Sequence, residues 1–138
     1  MNSLKYQLIQ FIIMVIIGIS FNPMNILAFR FNDLYLSLTL FYGGLLMASN
    51  MMWSHEIIHY LSFGHFNIYI FFIGILLSIF ISIFLLRKQF LVSDNEWLKR
   101  MISHHSTALT TSHNIKNKTK NNIVNSLSND IIKVQENE

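Results

Sequence analysis

The chain has 138 residues, is 52% hydrophobic and only 12% charged, and carries a formal net charge of +3 with no cysteine. Charge this sparse, gathered outside three long apolar runs, excludes an ordinary soluble domain and points to a membrane protein. Disulfides and thiolate ligands are excluded too, so any soft-metal site must be built from methionine and histidine.

The first apolar run, residues 6–21, follows a lone Lys5 and contains Gln10. Its length also suits a signal-peptide core, with Gly18 and Ser20 as small residues before a cleavage site. The weakly basic start, and the brief interruption of apolar character before Phe29, favour an uncleaved helix instead. The second run, residues 34–53, is a spanning helix whose polar members Ser37, Thr39, Ser49 and Asn50 can bond within the helix or to neighbours. The third, residues 66–86, has no acidic or basic residue before Arg87, and at 1.5 Å rise it is about 30 Å long, the thickness of a bilayer core. Residues 1–86 are therefore expected to form a membrane domain with three spans.

Orientation follows from basic residues near the span ends. With the C-terminal tail in the cytoplasm, Arg30, Arg87, Lys88, Lys99 and Arg100 lie inside and only Lys5 outside; the reverse topology leaves Lys5 alone inside. A cytoplasmic tail is expected, with the lysines and arginines against anionic lipid. A cleaved signal peptide would reverse this and put the sequon at Asn117 outside. The basic residues are split and lack aromatic interleaving, so nucleic acid is not an expected partner.

Between the second and third runs stands His55-Glu56-Ile57-Ile58-His59, literally H-E-x-x-H, with His65 ten residues after His55. That pattern puts two imidazoles on one helical face with a glutamate able to activate water. The extended zinc-protease motif, however, has its glycine three residues after the second histidine, where Ser62 stands here, and no substrate cleft fits beside spanning helices. An enzyme is not expected. The readings left open are a non-catalytic second metal or polar cluster of His55, Glu56, His59 and His65, extended inward by Met47 and Met51, or plain interfacial histidines, with a metalloprotease as the last alternative. Met47 and Met51, with Gly74, Ser78 and Ser82 at four-residue steps in the third run, are similar in plan to the Ctr-type copper transporters. The Met-rich amino terminus of those transporters is missing, since outside the apolar run, which holds Met14, only Met1 and Met24 occur there.

After a link at 87–93, residues 94–138 carry two helical patterns. The first runs over 94–115, with Ser93 as N-cap and Glu96 completing a capping box. The polar stretch 116–122 is the turn. The second helix covers 122–134 or beyond, with Ile123, Leu127, Ile131 and Val134 as its apolar stripe. Two helices this size bury little core, so the hairpin should need a partner, a second copy or the membrane surface. At about 100° per residue, Asp94, Leu98, Met101, His105, Ala108 and Ser112 share one arc, with Trp97 and His104 at its edge. Thioether and imidazole together suit copper, especially the cuprous ion, with zinc as the alternative. The plain reading is a pair of solvated surface histidines.

Asp94, Trp97, the run M-I-S-H-H (Met101 to His105), Ala108 and the ending I-I-K-V-Q-E-N-E resemble the domain-of-unknown-function 305 family. Its members are ferritin-like helical hairpins, several of them implicated in copper binding. The resemblance implies Met101, His104 and His105 as metal ligands, with Gln135 and Glu138 facing them across the hairpin. It covers only the last third of the chain, and departs from the family at Ser103, where proline is usual, and after Glu138, where a methionine often follows. The expected protein is thus all-α, three transmembrane helices followed by a ferritin-like hairpin that handles a soft metal. It is expected to self-associate through the hairpin or the third span. The alternatives are a small Ctr-like transporter and a membrane interaction protein that binds no metal.

Overall fold

In a computed structural model of the protein, which describes residues 3–137, every regular element among the described residues is helical. Helix α1 is Ser3–Ser20, the short α2 is Pro23–Ile26, and a single 3-10 turn occupies Phe31–Asp33. Helix α3 is Leu38–Phe63, α4 is Ile68–Phe80 and continues as a π-helical stretch Ile81–Arg87, α5 is Asp94–Lys116, and α6 is Asn122–Gln135. Two stretches, Lys5–Ile26 and Ile68–Arg87, are long and apolar enough to cross a membrane.

The chain divides into two compact units. The first holds α1, α3, α4 and the segment to Ser93; the second holds Pro23–Ser37 with α5 and α6. This differs from the boundary drawn on the sequence in two ways, each with a physical cause. Residues 87–93 are no free link: the Tyr42 hydroxyl of α3 donates to the Phe90 carbonyl at 2.8 Å, and Thr39 Oγ1 donates to Gln89 Oε1 at 3.2 Å. Gln89 and Leu91 take positive φ (48° and 56°) to make that turn, a conformation uncommon for a leucine. Residues 23–37, in turn, belong with the hairpin because α5 offers them hydroxyls. Phe29 N–H donates to Ser106 Oγ at 2.7 Å, Ser106 Oγ to Asp33 Oδ2 at 2.6 Å, and Ser103 Oγ to the Asp33 carbonyl at 3.0 Å.

Within the first unit, α3 is the common neighbour, with α1 and α4 each packed along it. Glycines permit the close approach. Gly18 and Gly44 face each other, so that a Cβ on Gly18 would stand 3.1 Å from the Gly44 Cα. On the other side Gly74 of α4 lies against Trp53 and Met52, where a Cβ would meet backbone nitrogen at 3.0 Å. The small residues Gly74 and Ser78 are buried, so this face of the third run packs within the chain and self-association through α4 would need another face. Hydroxyls inside these helices bond backward, Ser49 Oγ to the Leu45 carbonyl at 2.7 Å and Ser78 Oγ to the Gly74 carbonyl at 2.9 Å.

The second apolar run departs from expectation. Its helix starts at Leu38 rather than residue 34 and runs to Phe63, ten residues beyond Trp53, so H-E-x-x-H lies inside α3 and not in a connection. Apolar side chains at 34–36 carried no information about where the helix begins. Asn67 caps α4, its side chain accepting from the N–H groups of Tyr69 and Ile70.

In the second unit α5 and α6 match the expected hairpin, with turn 117–121 and Asn121 capping α6 through Ile123 and Val124. The face of α6 does not match. Ser128 and Ile132 are buried, whereas Ile123 is 79% exposed and Leu127 58%. On α5 the buried positions are Ser103, Ser106, Leu109 and Ser112. Two of those serines, Ser103 and Ser106, bond to Asp33 in the 23–37 segment, and of the apolar stripe on α6 Ile131 is half-buried while Ile123, Leu127 and Val134 are exposed. Arg100 is half-buried beside Met24, to whose sulfur it donates, and desolvation holds its guanidinium below the usual value.

Candidate functional site

Helix α5 places Met101 and His105 one turn apart, and α6 ends at Gln135 opposite them. The three border one open cleft of about 430 Å³, together with Trp97, Leu98, Ser106, Asp33, Arg30 and Glu136. Met101, His105 and Gln135 are each half-buried. The cleft therefore offers a thioether, an imidazole, an amide and two carboxylates, one of which, Asp33, already accepts from Ser106.

The remaining hairpin candidates fall elsewhere. His104 is exposed and outside the cleft lining, although its ring centroid is 5.8 Å from that of His105. Asp94 is exposed at the start of α5 and also outside the lining. Glu138 lies outside the described residues. Two cleft carboxylates, Asp33 and Glu136, were not singled out from the sequence. Asp33 sits far away in the chain, and Glu136 falls inside the Q-x-x-E ending, whose end residues are the ones the resemblance points to. His113 stacks on Phe29 (centroids 5.2 Å, planes 11° apart), with Nε2 3.8 Å from Glu136 Oε1.

The second cluster borders its own open cleft of about 380 Å³ in the first unit, with His55, Glu56, His59 and His65 joined by Tyr6 and Gln7 of α1. Glu56 is 4% exposed, and its Oε2 accepts from the Asn67 N–H at 3.0 Å. The carboxylate thereby ties the end of α3 to the cap of α4. Met47 and Met51 do not line this cleft: Met47 lies against Gly18, and Met51 borders a small void with Gln10 and Met14 of α1. Among the described residues, no three histidine or carboxylate side chains stand close enough, as they lie, to hold an ion.

Glu56 thus has a structural use that can be tested apart from catalysis. Glu56→Ala removes the buried, charged acceptor of the Asn67 N–H and is expected to cost about 1–3 kcal/mol, while Glu56→Gln keeps an amide oxygen in reach and should cost much less. Thermal unfolding of the two variants in detergent decides it. Equal losses would show that the Asn67 bond is not what Glu56 contributes.

Neither the curated proteins nor the solved structures yield a match to this chain. Residues 86–138, the part of the chain that carries M-I-S-H-H, α5 and α6, match the family model described as domain of unknown function (DUF305).

Proposed function

We propose that the protein is a non-enzymatic, multi-pass membrane protein whose C-terminal hairpin takes up a soft metal ion, copper in its cuprous state, for storage, sensing or handling. The observation that carries the reading is the shared cleft of Met101, His105 and Gln135, within the segment that matches the DUF305 model. Its donors fit the ion chemically: thioether and imidazole favour cuprous copper, and a cleft holding Arg30 and two carboxylates supplies hydrogen bonds that can orient a ligand. Zinc is the alternative ion for the same imidazoles. Met101 and His105 would hold the copper, with His104 close enough to join by turning its ring.

The membrane part of the reading is supported by the outward faces of α1 and α4, where Leu8 is 60% exposed, Ile16 58% and Leu76 64%. Burying that surface in lipid recovers about 25 cal/mol for each Å² removed from water. We read α3 as the middle span, which leaves the chain ends on opposite faces and the tail in the cytoplasm. The exposed row Ile123, Leu127 and Val134 of α6 supports self-association by the hairpin, a second copy completing a four-helix bundle. No observation favours the Ctr-like alternative, since Met47 and Met51 pack toward α1 rather than forming a path.

The five-to-one division of basic residues gives the topology a direct test. Protease added to intact cells is expected to spare an epitope placed after Glu138, and to cut it only once the membrane is opened. Digestion in intact cells would overturn the orientation. Cuprous-ion titration of the full chain tests the site itself.

A further inference from the structure

His55, His59 and His65 are used neither by the hairpin cleft nor by helix packing, yet they border one cleft in the first unit. His55 and His59 stand one turn apart on α3, with ring centroids 6.0 Å apart and planes within 26°. His65 comes after the helix has ended. Gly64 brings it back: its φ of +71° turns the chain, its N–H bonds to the Tyr60 carbonyl at 2.8 Å, and the His65 ring comes to rest 6.4 Å from that of His59. A Cβ at Gly64 would meet nothing within 4 Å, so the conformation and not the space calls for glycine there. The glycine missing from the protease position is thus present one residue before the third histidine, making a turn of its own.

Two hydrogen-bonding facts indicate what these rings are arranged for. His59 Nδ1 lies 3.0 Å from the His65 carbonyl oxygen, and a carbonyl can only accept, so in the neutral ring Nδ1 carries the proton and Nε2 the lone pair. A backbone carbonyl holding the far nitrogen is the usual way a metal-binding histidine is oriented. His55 Nδ1 is shut off from water and has no hydrogen-bond partner among the described residues. A buried nitrogen without a partner costs stability that a bound ion would return.

Distance sets how far the rings must move. With a metal–nitrogen bond near 2.1 Å, an imidazole centroid lies about 3.2 Å from its ion, and two on one tetrahedral ion are about 5.2 Å apart. The His55–His59 and His59–His65 separations of 6.0 and 6.4 Å exceed that by about an ångström, so the three rings stand open as they lie and an ion would draw them inward by side-chain rotation. We propose that His55, His59 and His65 form a binding site for a zinc-class divalent ion, which clips the α3–α4 turn onto the end of α3. Because Glu56 is committed to Asn67, the site is structural rather than hydrolytic.

The test uses the full chain in detergent with His104→Ala and His105→Ala, so that hairpin binding is already removed and the two sites fail or succeed separately. Zinc titrated against a chromophoric chelator should bind at one ion per chain. His65→Ala should weaken it about tenfold or more, as should His59→Ala, while Glu56→Gln stays within about twofold. His65 is exposed and outside the helices, so its variant reports on the site even where His59→Ala does not fold. No zinc bound in this background, or zinc bound equally well by His65→Ala, would overturn the proposal.

Discussion

Gly44→Leu is expected to detach α1 from α3 and to lower the thermal stability of the protein in detergent far more than Gly43→Leu at the next position. A Cβ on Gly44 would stand 2.8 Å from Ile19 Cγ1 and 3.0 Å from the Val15 carbonyl oxygen. The first neighbour is a side-chain atom that can turn aside; the second is helix backbone, which moves only if α1 moves. A leucine adds three more carbons in the same direction, so the expected cost is at the upper end of overpacking, about 3 kcal/mol or more. At Gly43 a Cβ meets only Asn22 Nδ2 at 3.9 Å, an ordinary contact, and leucine there should cost less than about 1 kcal/mol. The pair also tests whether the first apolar run is kept. In a chain that had lost it to cleavage, Gly44 would have no neighbour to meet and the two substitutions would behave alike. Equal melting temperatures for the two variants would therefore remove α1 from the packed unit.

How much of this was legible in the sequence depends on whether the cause is local. The hairpin is: polar residues 116–122 interrupt two helical patterns, and the helices end within a residue or two of where the patterns do. Inward faces are another matter. An apolar stripe at 123, 127, 131 and 134 is the ordinary sign of a buried face, but α6 turns Ser128 and Ile132 inward and leaves Ile123, Leu127 and Val134 exposed, a rotation that packing against α5 sets and periodicity does not encode. Ser103 shows the same thing from the other side. The family resemblance made it a departure from proline, yet its hydroxyl bonds to the Asp33 carbonyl across a separation of 70 residues, and proline has no hydroxyl with which to do so. The membership of residues 23–37 in the hairpin unit rests on such long-range bonds, which no periodicity encodes. Of the candidate ligands, Met101 and His105 were readable as an i, i+4 pair, and Gln135 from the resemblance. The separation of His104 from His105 depends on how α5 is rotated against its neighbours, and that is fixed by the bonds of Ser103 and Ser106 to Phe29 and Asp33.

That rotation gives the copper reading its sharpest consequence. His105→Ala is expected to weaken cuprous-ion binding about 100-fold, and His104→Ala clearly less, because His105 borders the cleft with Met101 and Gln135 while His104 is exposed outside it. Met101→Leu keeps the apolar volume and removes the soft donor, so it should cost copper affinity and leave zinc affinity nearly unchanged. The measurement is competition with a chromophoric cuprous chelator, using full chain that carries His65→Ala to set the other cluster aside. His113→Ala is the control: it loses the stack on Phe29 and some thermal stability, but lies outside the cleft lining and should keep copper affinity within about twofold. Copper should also raise the melting temperature, since an ion bound only by the folded hairpin adds about 2.7 kcal/mol at 100 times its dissociation constant. The segment 23–37 already braces α5 without metal, so the gain belongs in stability rather than in helix content. Should His105→Ala bind copper as tightly as wild type, the cleft is not the site and the hairpin's function lies elsewhere. Should His104→Ala cost as much as His105→Ala, both rings hold the ion and the His104 ring turns toward the cleft to reach it.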